Sequence, residues 1–169
     1  MPATEEIAES LIREHIVRAV GDVFKTMLGQ SVQFRGVDCP PARQAGAPVQ
    51  QIVGTVGFVG DINGLIYLYI EEEFAARCTR DLLGMSEQEF AESGAESVND
   101  AIGEITNMVV GSFKNGLCDA GYPCKLTIPS ILRGSNFSVE PIKTSLRHIY
   151  LFDNGGHQIT ADILLKLED

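Results

Sequence analysis

Glu104 and Asn107 lie one helical turn apart within NDAIGEITNMVVG, residues 99–111, in surroundings otherwise apolar and small. Asp100 falls one turn earlier, and Gly103 and Gly111 flank the pair where a helix would favour alanine. Each glycine costs a helix roughly 1 kcal/mol relative to alanine. A face meant only for water is built more cheaply from Lys, Arg, Glu and Ala. The glycines leave the helix backbone and both polar side chains open to close approach, which is the shape of a docking surface. The plainer alternative is the polar back that any amphipathic helix carries, facing solvent.

Other chemistry is thin. No Gly-x-x-x-x-Gly-Lys-Ser/Thr phosphate loop, Gly-x-Gly-x-x-Gly fingerprint or Gly-x-Ser-x-Gly elbow occurs, and no serine or cysteine nucleophile stands with an evident base. The acidic stretches DING and DNGG are too short for calcium loops and read as turns. The four cysteines, Cys39, Cys78, Cys118 and Cys124, form no Cys-x-x-Cys pair, and the three histidines are scattered. Reduced thiols used as small core residues are the expectation, with no metal site.

The elements that must hold the 99–111 run follow from periodicity. Val98, Ile102, Ile105, Val109 and Phe113 make one stripe of a helix over about 95–118. That stripe is the expected core face, opposite Ser97, Asp100, Glu104, Asn107, Gly111 and Asn115. An amphipathic helix is expected over 4–28, with Thr4 as its N-cap and Gly29 closing it. SVQFRGV reads as a short strand, and DCPPARQAGAP as a surface loop. Two β-rich runs flank Asp61-Ile62-Asn63-Gly64, a hairpin turn on the argument that Asn-Gly tolerates positive φ. Residues 71–83 are helical, with Phe74, Cys78, Leu82 and Leu83 on one face and Gly84 as the stop. MSEQEFAESGAES connects with helical character. CKLTIPSILRG, FSVEPIKTS, RHIYLF and QITADILLKL read as strands, the last two joined by Asp153-Asn154-Gly155-Gly156. Helix, strands, helices, strands predicts an α+β domain whose mainly antiparallel sheet is covered on one face by helices.

The chain has 169 residues, suited to one domain over 1–169, and a formal net charge of −10 with no run of Lys or Arg. That balance argues against nucleic acid or an anionic membrane as partner. The acidic N-terminus is not a signal peptide, and no apolar run approaches the ~20 residues of a membrane span. The expected location is cytoplasmic.

The run at 99–111 matches the Asp/Ser-x-x-x-Glu-x-x-Asn pattern of the CheC/CheX/FliY family of chemotaxis phosphatases, with Asp100, Glu104 and Asn107 at its named positions. The family pattern also carries a proline well beyond the asparagine, and Pro129 falls at or beside that place. The layout resembles the CheX type over nearly the whole chain: an N-terminal amphipathic helix, a hairpin before a helix, one motif-bearing helix and terminal strands. CheC-like members have two such helices and FliY-like members an added flagellar-switch domain.

The resemblance implies a phosphatase acting on the phosphorylated aspartate of a CheY-like response regulator, and a homodimer pairing through its sheets. It makes Glu104 and Asn107 the catalytic pair. Asn107 would hold the in-line water, its carboxamide being both donor and acceptor, and Glu104 would pair with the receiver's active-site lysine. Asp100, Gly103 and Gly111 would serve docking. No cofactor of its own is implied, since the receiver partner would supply Mg2+. A receiver- or flagellar-component-binding module without catalysis, and a structural or oligomerisation domain, are the other readings of the same surface.

Overall fold

The computed structural model describes residues 2–38, 50–135, 137 and 145–166. Four helices and seven strands follow in the order α1 (Pro2–Leu28), β1 (Gln33–Asp38), β2 (Gln51–Gly60), β3 (Gly64–Glu71), α2 (Glu72–Leu83), α3 (Glu87–Ser93), α4 (Ala95–Asp119), β4 (Cys124–Leu126), β5 (Ser130–Gly134), β6 (Ser145–Asn154) and β7 (His157–Lys166). The expected loop at 38–48 falls outside the described residues apart from Asp38, which ends β1, and so does most of the expected strand at 137–145.

The strands form one antiparallel sheet in the order β1-β6-β7-β3-β2-β4, with β5 also pairing β2. Alternation puts Ile52, Val56 and Phe58 of β2, Ile66, Leu68 and Ile70 of β3, and Ile159, Ala161 and Ile163 of β7 on one buried face. Helices close that face: Ile12, Ile16, Val20 and Phe24 of α1, Phe74 and Cys78 of α2, and the α4 stripe complete a single core. The α+β architecture and the helix-covered antiparallel sheet are therefore as the sequence predicts.

Local details refine the expectations. The first helix begins at Pro2, so Thr4 lies inside its first turn and is not its cap. Proline suits that position because its missing N–H would have no partner there. Gly29 closes α1 with φ +65 and donates its N–H to the Lys25 carbonyl at 3.1 Å. Gly84 does the same for α2 with φ +64. Leu83 is 51% exposed instead of lining the core. At 100° per residue it falls half-way round the helix from Phe74.

Both hairpins form as expected, with Asn63 Oδ1 accepting from the Gly60 N–H at 2.9 Å. Gly64, however, is absent from the positive-φ glycines. Its value is room: a Cβ there would collide with the Leu164 carbonyl oxygen and the Phe58 ring. In the second hairpin positive φ is the reason, at Gly155 (+55) and Gly156 (+98). Among the described residues no helix is long and apolar enough to cross a membrane.

Candidate functional site

Helix α4 is seated by its buried side. Val98, Ile102, Ile105, Val109 and Phe113 are all buried, as the periodicity predicts, and Ala101, Thr106, Val110 and Leu117 join them. Thr106 donates its hydroxyl to the Ile102 carbonyl at 2.6 Å, so its one polar atom is satisfied within the helix. Its side chain then presses on β2 at Gly54, where any Cβ would overlap it. One helical stretch further on, Phe113 meets Phe58 with ring centroids 5.9 Å apart. The helix therefore runs along β2, held at Gly54 and at Phe58.

A second clamp comes from β5. Arg133 donates from Nε to Asn99 Oδ1 at 2.8 Å and from an NH2 group to the Ala95 carbonyl at 3.0 Å. The latter contact adds a second donor to a first-turn carbonyl and fixes the helix against the sheet edge. Neither Thr106–Gly54 nor Arg133 stands out in the sequence. A lone threonine in a helix and a lone glycine in a strand acquire meaning only once the two elements touch.

The face turned away from the core carries Asp100, Glu104 and Asn107, all exposed, with Gly111 half-buried in line with them. At 100° per step these four positions span only about 60° of the helix circumference. They form a narrow row of two carboxylates, a carboxamide and a gap. The hydrogen bonds along this stretch belong to the neighbours Asn99 and Thr106.

The glycines sort into two kinds. At Gly54, Gly60, Gly64 and Gly116 a Cβ would strike other parts of the chain, the last meeting the His15 ring of α1. At Gly111 a Cβ would meet nothing within 4 Å, and at Gly103 only Ile131 Cδ1 at 3.9 Å, an ordinary contact. The fold does not need either of these two to be glycine. Each leaves bare helix backbone beside Glu104 and Asn107, and Gly103 additionally turns toward β5.

Nucleophilic chemistry finds little support elsewhere. Burial pushes the Cys78 thiol up to about 12, and burial likewise raises that of Cys124. Both are protonated at neutral pH and behave as core residues, as expected; Cys39 lies outside the described residues. No group of three or more His, Cys, Asp or Glu converges among the described residues. What α4 offers is polar side chains held out from a rigid support, suited to entering a site on another molecule.

The sequence pattern of the family described as "Chemotaxis phosphatase CheX" matches residues 52–153, a span that includes β2 from its second residue, β3 and all of α4. Similar solved structures share the fold. A CheX from Desulfovibrio desulfuricans is 22% identical, with 92% of this chain and 99% of that chain covered and a TM-score of 0.75. A CheX from Borrelia burgdorferi, solved as a complex with CheY, BeF3 and Mg2+, is 22% identical over 90% of this chain and 96% of that one, with a TM-score of 0.72. FliY from Thermotoga maritima gives 17% identity, coverage of 100% and 92%, and a TM-score of 0.65. No curated protein matches the chain.

Proposed function

This chain belongs to the CheX family of chemotaxis phosphatases, and from that premise we propose that it hydrolyses the aspartyl phosphate of a CheY-like response-regulator receiver. The observation that carries the reading is the exposed Glu104–Asn107 pair on a helix whose other faces are fixed to the sheet. The Borrelia relative bound to CheY with BeF3 and Mg2+ supports a receiver as partner.

An acyl phosphate is intrinsically reactive, so the enzyme's task is to position water and compensate charge. Asn107 takes the water on its amide oxygen and directs its NH2 toward the phosphoryl oxygens. The water oxygen attacks phosphorus in line. The bond from phosphorus to the aspartyl oxygen breaks, the carboxylate is regenerated, and inorganic phosphate leaves. Glu104 is unsuited to contact a phosphoryl dianion and pairs instead with the receiver's lysine, fixing register between the proteins. Asp100 assists that docking, and Gly103 and Gly111 let the receiver's loops approach the helix. Mg2+ is carried by the receiver. This division of labour accounts for a site without a nucleophile, because the substrate protein brings the phosphorylated residue.

The deciding experiment follows the decay of a phosphorylated CheY-like receiver with and without the protein. Faster decay is expected; an unchanged rate against every receiver tested would overturn the reading and leave a binding module in its place. The proposed homodimer is checked separately by sedimentation, where twice the chain mass is expected and a single chain mass refutes it.

A further inference from the structure

The strands β4 and β5 are two halves of one interrupted edge strand. Thr127 still pairs across to β2, its N–H donating to the Gly57 carbonyl at 2.9 Å and its Oγ1 accepting from the Gly57 N–H at 2.8 Å. Pairing resumes with Ser130 opposite Thr55. Two residues, Ile128 and Pro129, therefore stand against the single residue Val56, which is the residue count of a bulge. Val56 is 1% exposed and faces the helices, so the slot opposite it belongs to the helix side of the sheet. The extra residue does not fit there, and Ile128 is thrown outward to 88% exposure, the highest of the large hydrophobics among the described residues. Pro129, lacking an N–H, is at home where the ladder is broken.

The placement of this bulge gives the exposed isoleucine a use. Ile131 pairs with Gly54, against which Thr106 rests, and Leu126 pairs with Phe58, which meets Phe113. The bulge between them lies level with the part of α4 that runs from Thr106 to Phe113, which contains Asn107 and Gly111. It also lies on the side to which Gly103 turns, toward β5. A single exposed apolar side chain is ordinary on a protein surface. One exposed on the edge strand that flanks α4, at the level of Asn107, is placed within reach of a partner that engages that helix.

We propose that Ile128 is an apolar docking residue for the receiver domain, buried against it while Glu104 and Asn107 enter its phosphorylation site. The proposal rests on the receiver-phosphatase reading above. Pairing of Glu104 with the receiver's lysine sets register and contributes to docking, and burying one aliphatic side chain adds enough for roughly tenfold or more in Kd. The polar row fixes register and Ile128 supplies grip.

The test compares wild type with Ile128→Ser and Ile128→Leu in two measurements. One is binding to receiver loaded with beryllofluoride and Mg2+; the other is steady-state turnover of phosphorylated receiver. Ile128→Ser is expected to raise Kd and KM about tenfold, with kcat at saturation retained, and Ile128→Leu to restore both constants. Thermal midpoints of the three proteins should agree, since the side chain contacts solvent. Unchanged Kd and KM in Ile128→Ser, with wild-type turnover intact, overturn this proposal alone. Wild type that binds without turnover, and binds less well as Ile128→Ser, removes the phosphatase reading and leaves the docking role standing.

Discussion

Asn107 and Glu104 are asked to do different things, and their variants should fail differently. Asn107→Ala removes the group proposed to hold the water, so kcat should fall by about 10²–10³ with KM little changed, in line with loss of one positioned hydrogen-bonding group. Glu104→Ala removes the proposed partner of the receiver's lysine, so KM should rise more than kcat falls. Steady-state rates against receiver concentration check both, and circular dichroism should show both folded, because each side chain is exposed. These residues were legible in the sequence because their types and spacing fit a family pattern. Ile128 was not. Its exposure depends on a miscount between two strand segments, and nothing in TIPS announces that two of its residues share one partner.

At the scale of elements, helix α4 shows why some glycines could be read from sequence and others could not. Gly103 and Gly111 break a helical pattern and so attract notice. Gly54 lies among β-rich residues and looks like a weak point in a strand, whereas it is the seat of Thr106. Gly54→Ala should therefore destabilise the protein by about 1–3 kcal/mol, as overpacking does. Combined with Thr106→Ala, it should cost less than the sum of the two single changes, since they share one contact; denaturant midpoints measure this. Gly111→Ala should act the other way. With open space at the Cβ position it should raise the thermal midpoint by about 2–4 °C, while lowering kcat/KM through the lost approach of the receiver. Beyond the two hairpins, the pairing order of the strands was not legible, because turn signals name neighbours along the chain but not that β7 lies between β6 and β3.

For the molecule as a whole, pH tests how α1 closes on the sheet. His148 of β6 has an Nε2 buried without a hydrogen-bond partner among the described residues, as has the nearby Tyr150 hydroxyl. Burial lowers the His148 pKa below its ordinary value of 6.5, with Glu9 of α1 opposing and Arg13 of α1 reinforcing the shift. The folded protein then binds this proton less readily than the unfolded chain. The stability associated with neutral His148 is fully present above pH 6.5 and is lost as pH falls through the folded pKa. His148→Gln should reduce the drop in denaturant midpoint between about pH 7.5 and 5 relative to wild type; an equal drop in both would place the acid sensitivity elsewhere.

Helix α4 touches α1, α2, α3 and the strands β2, β4 and β5, so the residues proposed for chemistry stand on the most widely shared element of the fold. A local opening that frees Asn107 would have to break the contacts of α4 with all of these elements. Amide protons of residues 101–113 should accordingly exchange with solvent only through global unfolding, at the slowest rates in the chain. Phosphatase activity should persist through rising denaturant until the cooperative transition and then vanish with it, the two midpoints coinciding. An active site carried on a loop would fade earlier. Here the same contacts that make the protein a folded body hold in place the side chains proposed for catalysis.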